Sequence, residues 1–223
     1  MASCLRSIYA GDPFREPAQT MPALPAHLRD QVLLSEQTVD GIRCAVYSPK
    51  APGSRRPMIL YMHGGGFVIG CSEDVDYITR TLSYQNNCVV VSVNYRLAPE
   101  TVFPGALQDC EKVLAWALEH ASELNIDSSN FFLAGDSAGG NIAASLAQIL
   151  TAQERPVLGV IALAPWLDMS VESYDSYNSP LVLYLMPHSW VMQEQLTSVL
   201  NNGRTHLSVR CSVHQQNYHL HWF

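Results

Sequence analysis

The run Phe131-Phe132-Leu133-Ala134-Gly135-Asp136-Ser137-Ala138-Gly139-Gly140-Asn141-Ile142-Ala143-Ala144-Ser145-Leu146 narrows the folds open to this chain more than any other stretch. Apolar residues end in Gly135-Asp136-Ser137-Ala138-Gly139, and a run rich in Ala and Leu follows at once. The pattern predicts strand, sharp turn, helix. A serine at the apex of such a turn has a strained backbone and an exposed hydroxyl, and glycines two before and two after keep the turn free of clashes. The helix that starts there directs its amide dipoles at the hydroxyl, where negative charge would gather in a reaction. Short motifs recur by chance, and an ordinary glycine-rich loop is the bland reading of this one. The strand-turn-helix context favours Ser137 as a nucleophile.

A second stretch points to the same chemistry. Pro57-Met58-Ile59-Leu60-Tyr61-Met62-His63-Gly64-Gly65-Gly66-Phe67 is an apolar strand that ends in a histidine and three glycines. Successive glycines let a backbone approach a ligand closely and aim N–H groups at one point. Acyl transfer needs such donors around the developing oxyanion. The expected oxyanion loop is Gly64, Gly65 and Gly66, with Gly65 and Gly66 donating and Gly64 shaping the loop. The N–H of Ala138 adds a further donor.

These two motifs frame a third, Tyr95-Arg96-Leu97-Ala98-Pro99-Glu100 with Phe103-Pro104. Together and in this order, the three resemble the hormone-sensitive-lipase-like family of α/β-hydrolases, which holds carboxylesterases, lipases and arylacetamide deacetylases. The resemblance covers roughly residues 39 to 170. It implies a carboxylic-ester hydrolase forming an acyl-enzyme on Ser137, with short or medium acyl esters, aryl esters or aryl amides as substrates. It implies no cofactor and no metal, and reads His63 as an anchor of the oxyanion loop. It also implies a cap over the active site, built from an N-terminal arm over residues 1–38 and a second segment over 171–200.

The order of elements agrees with an α/β fold. Val39 to Tyr47 alternates as an edge-type strand after an Asp-Gly turn. A helix is expected from about Glu73 to Tyr84. Cys88-Val89-Val90-Val91-Ser92-Val93 is a continuous run suited to a strand buried on both faces. Leu107, Cys110, Val113, Leu114, Ala117 and Leu118 have helical spacing within Pro104–Leu124. Val157 to Ala164 is a further buried strand. Alternating strands and helices imply right-handed crossovers and a mainly parallel sheet, with both glycine turns at its C-terminal edge.

The triad that would activate Ser137 is harder to find. In this fold an acid and then a histidine follow the serine. Asp168 reads as a structural loop residue; Asp175 with His219 preserves chain order and nothing more. From about Asn201 the text changes, and no strand is evident through to Phe223. The expectation is a divergent tail over 201–223 and loss of the last sheet strands, with the core in 39–170. Marginal stability or self-association through an open sheet edge would follow. The alternative function is therefore a non-catalytic or nearly inactive form of the fold, and a lesser one is an amidase or deacetylase. Cys211, His214, His219 and His221 are permissible zinc ligands, but no framework is predicted to hold them.

The net charge of -7, with no basic stripe, argues against nucleic acid and anionic membrane surfaces as partners. No stretch is apolar over the length of a membrane span, and the opening residues lack a signal-peptide core. Six scattered cysteines read as reduced thiols. The expectation is a cytoplasmic enzyme of small apolar esters.

Overall fold

The computed structural model describes residues 24–53, 55–155 and 157–167, together with the backbone of 210–213 and 216–219. A short helix α1 (Ala26–Gln31) runs directly into strand β1 (Val32–Val39). Asp40 and Gly41 both have positive φ, 50° and 82°, the tight turn that suits the twist of two antiparallel strands. Strand β2 (Ile42–Pro49) returns along β1 with every residue paired, from Val39 opposite Ile42 to Val32 opposite Pro49.

The sheet thus begins inside the segment expected to be an irregular arm, and β2 is an interior strand and not an edge. The reason is the hairpin. Most of β1 faces solvent, so its sequence carries no apolar stripe, and the turn at 40–41 sets its pairing.

Strands β3 (Arg56–Met62), β4 (Val89–Val93), β5 (Ile126–Asp136) and β6 (Gly159–Leu163) complete a six-stranded sheet in the order β1-β2-β4-β3-β5-β6. Pairings β4–β3, β3–β5 and β5–β6 are parallel, and β1 and β2 are antiparallel additions, so the sheet is mixed but parallel through its centre. Among the described residues the sheet ends at β6. Helix α2 (Asp76–Asn86), preceded by a 3-10 turn at Ser72–Val75, links β3 to β4. Helix α3 (Gly105–Glu119) links β4 to β5, and α4 (Ala138–Ala152) links β5 to β6.

Period-two alternation sorts the core between the two faces. Met58, Leu60 and Met62 of β3 join Val113 and Leu114 of α3 and Leu146 and Leu150 of α4. Ile59 and Tyr61 point the other way, toward Val75 of the 3-10 turn and Leu82 of α2. Each such side chain, wholly removed from water, contributes about 1.5–3 kcal/mol.

Strand β3 sends its connection to one side, toward β4, while its neighbour β5 sends its own to the other, toward β6. A crevice opens at the C-terminal ends of adjacent strands whose connections diverge in this way, and such crevices take ligands. Here those ends carry His63 and Ser137. Beyond the core, β7 (Arg210–Val213) and β8 (Gln216–His219) form an antiparallel pair, a correction to the strandless tail expected from the sequence.

Candidate active site

Ser137 sits between the last residue of β5 and the first of α4, with φ 50° and ψ -116°. That backbone is strained for any residue with a side chain, at a cost of about 1–3 kcal/mol, and the surroundings hold it there. Its N–H donates to the carbonyl of Leu163 at 2.9 Å, tying the turn to the end of β6. Its carbonyl accepts from the N–H of Asn141 at 3.2 Å and of Trp166 at 3.1 Å. Asn141 closes this ring by donating from Nδ2 to the Trp166 carbonyl at 2.7 Å.

The glycine loop lies beside this turn because register demands it. Met62 pairs with Gly135, so His63-Gly64 runs alongside Asp136-Ser137. Contact is close enough that a methyl group at Gly139 would overlap the carbonyl of Met62. Only a residue without Cβ lets the first turn of α4 reach the end of β3.

Peptide planarity then orients the loop. A trans peptide directs its C=O and the following N–H in opposite directions, so a partner on the carbonyl fixes where the N–H looks. The His63 carbonyl accepts from the Tyr95 hydroxyl at 2.7 Å. The Gly64 carbonyl lies 2.7 Å from His63 Nδ1, which must carry the proton because a carbonyl only accepts. The Gly65 carbonyl accepts from Val68 and Ile69 N–H, both at 3.1 Å. The N–H groups of Gly65 and Gly66 are therefore turned away from these partners. Gly65 holds φ 119° and packs against the Ile69 carbonyl, where a side chain would collide.

His63 is buried and stacked on Tyr95, ring centroids 4.3 Å apart and 11° from parallel. Burial pushes its pKa down from the usual imidazole value, so it is neutral near pH 7. Its Nε2 has no hydrogen-bonding partner among the described residues.

Asp136, beside Ser137, accepts from the buried Tyr61 hydroxyl at 3.0 Å. Burial raises its carboxyl above the usual value, opposed by the hydrogen bonds from Tyr61 and the Gly64 backbone. Sequence reasoning assigned no role to Tyr61, Tyr95 or Asp136. The available signal was their placement, two residues before His63, at the start of the Tyr95–Glu100 motif, and inside the serine motif.

Two clefts flank the glycine loop. One, about 620 Å³, is lined by His63, Gly64, Gly65, Gly70 and Asp136. The other, about 510 Å³, is apolar and lined by Gly66, Phe67, Val102, Phe103, Leu107 and Ile142. Phe67 and Trp166 face each other across 6.5 Å. Asp168, Asp175, His188, His206, His214 and His221 lie outside the described residues, and only the backbone of Cys211 and His219 is described. No helix among the described residues is long and apolar enough to cross a membrane.

Comparison with known proteins agrees with this geometry. The family described as "alpha/beta hydrolase fold" matches residues 59–220. An arylesterase of Saccharolobus solfataricus is 35% identical over 135 residues, 60% of this chain and 44% of that protein. A carboxylesterase of Mycobacterium tuberculosis, NlhH, is 40% identical over 130 residues, 56% of this chain and 41% of its own. Among solved structures, a bacterial heroin esterase superposes with a TM-score of 0.62 at 34% identity, covering 67% of this chain and 51% of that one. The chain spans about half the length of these relatives. It belongs to the α/β-hydrolase fold family, in its hormone-sensitive-lipase-like branch.

Proposed function

We propose that this chain is a serine hydrolase of carboxylic esters, with Ser137 as the residue that carries the acyl group. The observation that carries this reading is the strained backbone of Ser137, held at φ 50° in register beside a glycine loop whose Gly64 and Gly65 carbonyls are already engaged. The Ser137 hydroxyl adds to the ester carbonyl carbon while a histidine takes its proton. The carbonyl oxygen, now negative, is met by the N–H groups of Gly65, Gly66 and Ala138, with Gly64 shaping the loop. The C–O bond to the alcohol then breaks and the alcohol takes up the proton. Water repeats the sequence on the acyl-serine and releases the acid. Five histidines, His188, His206, His214, His219 and His221, follow residue 167 as candidates for the proton acceptor.

Short or medium acyl esters and aryl esters suit the apolar cleft that Gly66 and Phe67 border. The open edge of β6, which pairs with β5 alone among the described residues, would also pair with a second copy of the chain.

A second reading, a hydrolase fold that binds such ligands without turning them over, draws on the described histidines. His27 rests against Tyr84, His120 against Trp116, and His63 uses Nδ1 on Gly64. Hydrolysis of p-nitrophenyl acetate and butyrate by the folded chain and by S137A separates the two. Turnover that vanishes in S137A supports the hydrolase. A folded chain with no turnover supports the second reading, and turnover surviving in S137A removes Ser137 as nucleophile. A p-nitroanilide in the same assay tests amide cleavage, which uses the same oxyanion donors.

A further inference from the structure

We propose that Asp136 is a positioning residue for the reaction above, its carboxylate tying Gly64 of the glycine loop to the nucleophile turn while the Tyr61 hydroxyl holds that carboxylate in place. The proposal rests on the hydrolase reading for its catalytic consequence, and on the fold alone for its geometry.

Asp136 is the last residue of β5, one position before Ser137, and its side chain reaches across to the neighbouring strand end. Tyr61 Oη donates to Oδ1 at 3.0 Å. Tyr61 is wholly buried, so this carboxylate is the acceptor its hydroxyl requires. The other oxygen, Oδ2, lies so close to the α-carbon of Gly64 that a side chain there would overlap it. That contact sets Oδ2 directly against the backbone of Gly64.

Gly64 is thereby held from two sides, by Asp136 Oδ2 packed against it and by Tyr95 on the carbonyl of the peptide that precedes it. The next peptide is held by His63 Nδ1 and the one after by Val68 and Ile69. Asp136 thus fixes the first of three consecutive peptide planes, and the two that follow carry the N–H groups of Gly65 and Gly66. Releasing the first plane lets the other two tilt. A displacement of about 1 Å in such donors costs on the order of 10²-fold in rate.

Asp136 cannot be explained as a generic surface acid. It faces a partly enclosed cleft with His63, Gly64 and Gly65, and its carboxylate lies between a buried phenol and Gly64. A carboxylate offers two oxygens in one plane, one for each partner.

Four proteins test the inference: the wild-type chain, D136A, D136N and Y61F. Two readouts are taken on each, amide hydrogen exchange over residues 62–70 and steady-state hydrolysis of p-nitrophenyl acetate. In D136A, exchange at Gly64–Gly66 is expected to speed at least about tenfold, and kcat to fall about 10²-fold with KM within about twofold. D136N keeps one acceptor oxygen and puts an NH2 donor in place of the other, so D136N and Y61F are both expected to lie between the wild type and D136A on both readouts. D136A that retains the wild-type exchange pattern overturns the proposal, and so does D136N as loose as D136A. Should D136A fail to fold, D136N and Y61F decide on the same terms. Absence of turnover in the wild-type chain counts against the hydrolase reading, and the exchange data still decide whether Asp136 holds the loop.

Discussion

The α-carbon of Gly139 rests on the carbonyl oxygen of Met62, so the first turn of α4 and the end of β3 meet backbone to backbone. This contact sets the distance between the Ser137 turn and the glycine loop. A methyl group at 139 meets rigid backbone and not the end of a side chain that can swing aside. G139A is expected to lose about 3 kcal/mol of stability, the upper range for overpacking, and most of its turnover. Urea unfolding at unchanged m-value checks the first, and ester hydrolysis of the folded fraction checks the second.

His63 should leave a signature in the pH dependence of stability. Burial holds its folded pKa below the usual 6.5, so the unfolded chain takes the proton first as pH falls. The stability it contributes is complete above 6.5 and is lost as pH drops from there toward the folded value. H63Q keeps a donor for the Gly64 carbonyl and cannot titrate. Unfolding free energies between pH 7.5 and 5 should therefore decline less steeply for H63Q than for the wild type.

Asp136 acts with the opposite sign. Its folded pKa is raised above the ordinary 3.8, chiefly by burial, with Tyr61, the Gly64 backbone and His63 pulling it back. The native state holds this proton more tightly than the unfolded chain, so stability falls as pH rises from 3.8 through the folded value. D136N lacks that fall. Relative to D136N, the wild type should lose ground between pH 4 and pH 7 in paired urea titrations.

The apolar cleft offers a test of substrate class. Leu107, on the first turn of α3, lines it opposite Gly66 and Phe67. L107W fills part of this space from the α3 side. It is expected to lower kcat/KM about tenfold for a hexanoate ester and to leave the acetate ester nearly unchanged. Equal losses for both would place the acyl chain elsewhere.

Much of this site was legible because the chemistry and the backbone ask for the same residues. Gly135 and Gly139 stand two before and two after Ser137 because the strained turn and the contact with β3 both exclude side chains. The three glycines after His63 announce a loop with room for a ligand. The buried strands announced themselves too, since 89–93 is valine at four of its five positions. Strand β1 did not, because a solvent-facing strand needs no apolar period and is specified by its hairpin partner. Tyr61 and Asp136 also escaped, each looking ordinary alone: a tyrosine in an apolar strand and the variable position of a serine motif. Their meaning lies in a parallel register that brings residues 61 and 136 to one place.

The proposed hydrolase requires the amides of Gly65, Gly66 and Ala138 and the hydroxyl of Ser137 to converge on one reacting centre. A crystal structure of the full chain after treatment with a fluorophosphonate tests it most directly. A single adduct on Ser137 Oγ is expected, with the phosphonyl oxygen about 2.7–3.1 Å from those three N–H groups. A folded chain that takes no adduct there, or an adduct whose oxygen points away from Gly65 and Gly66, would contradict it.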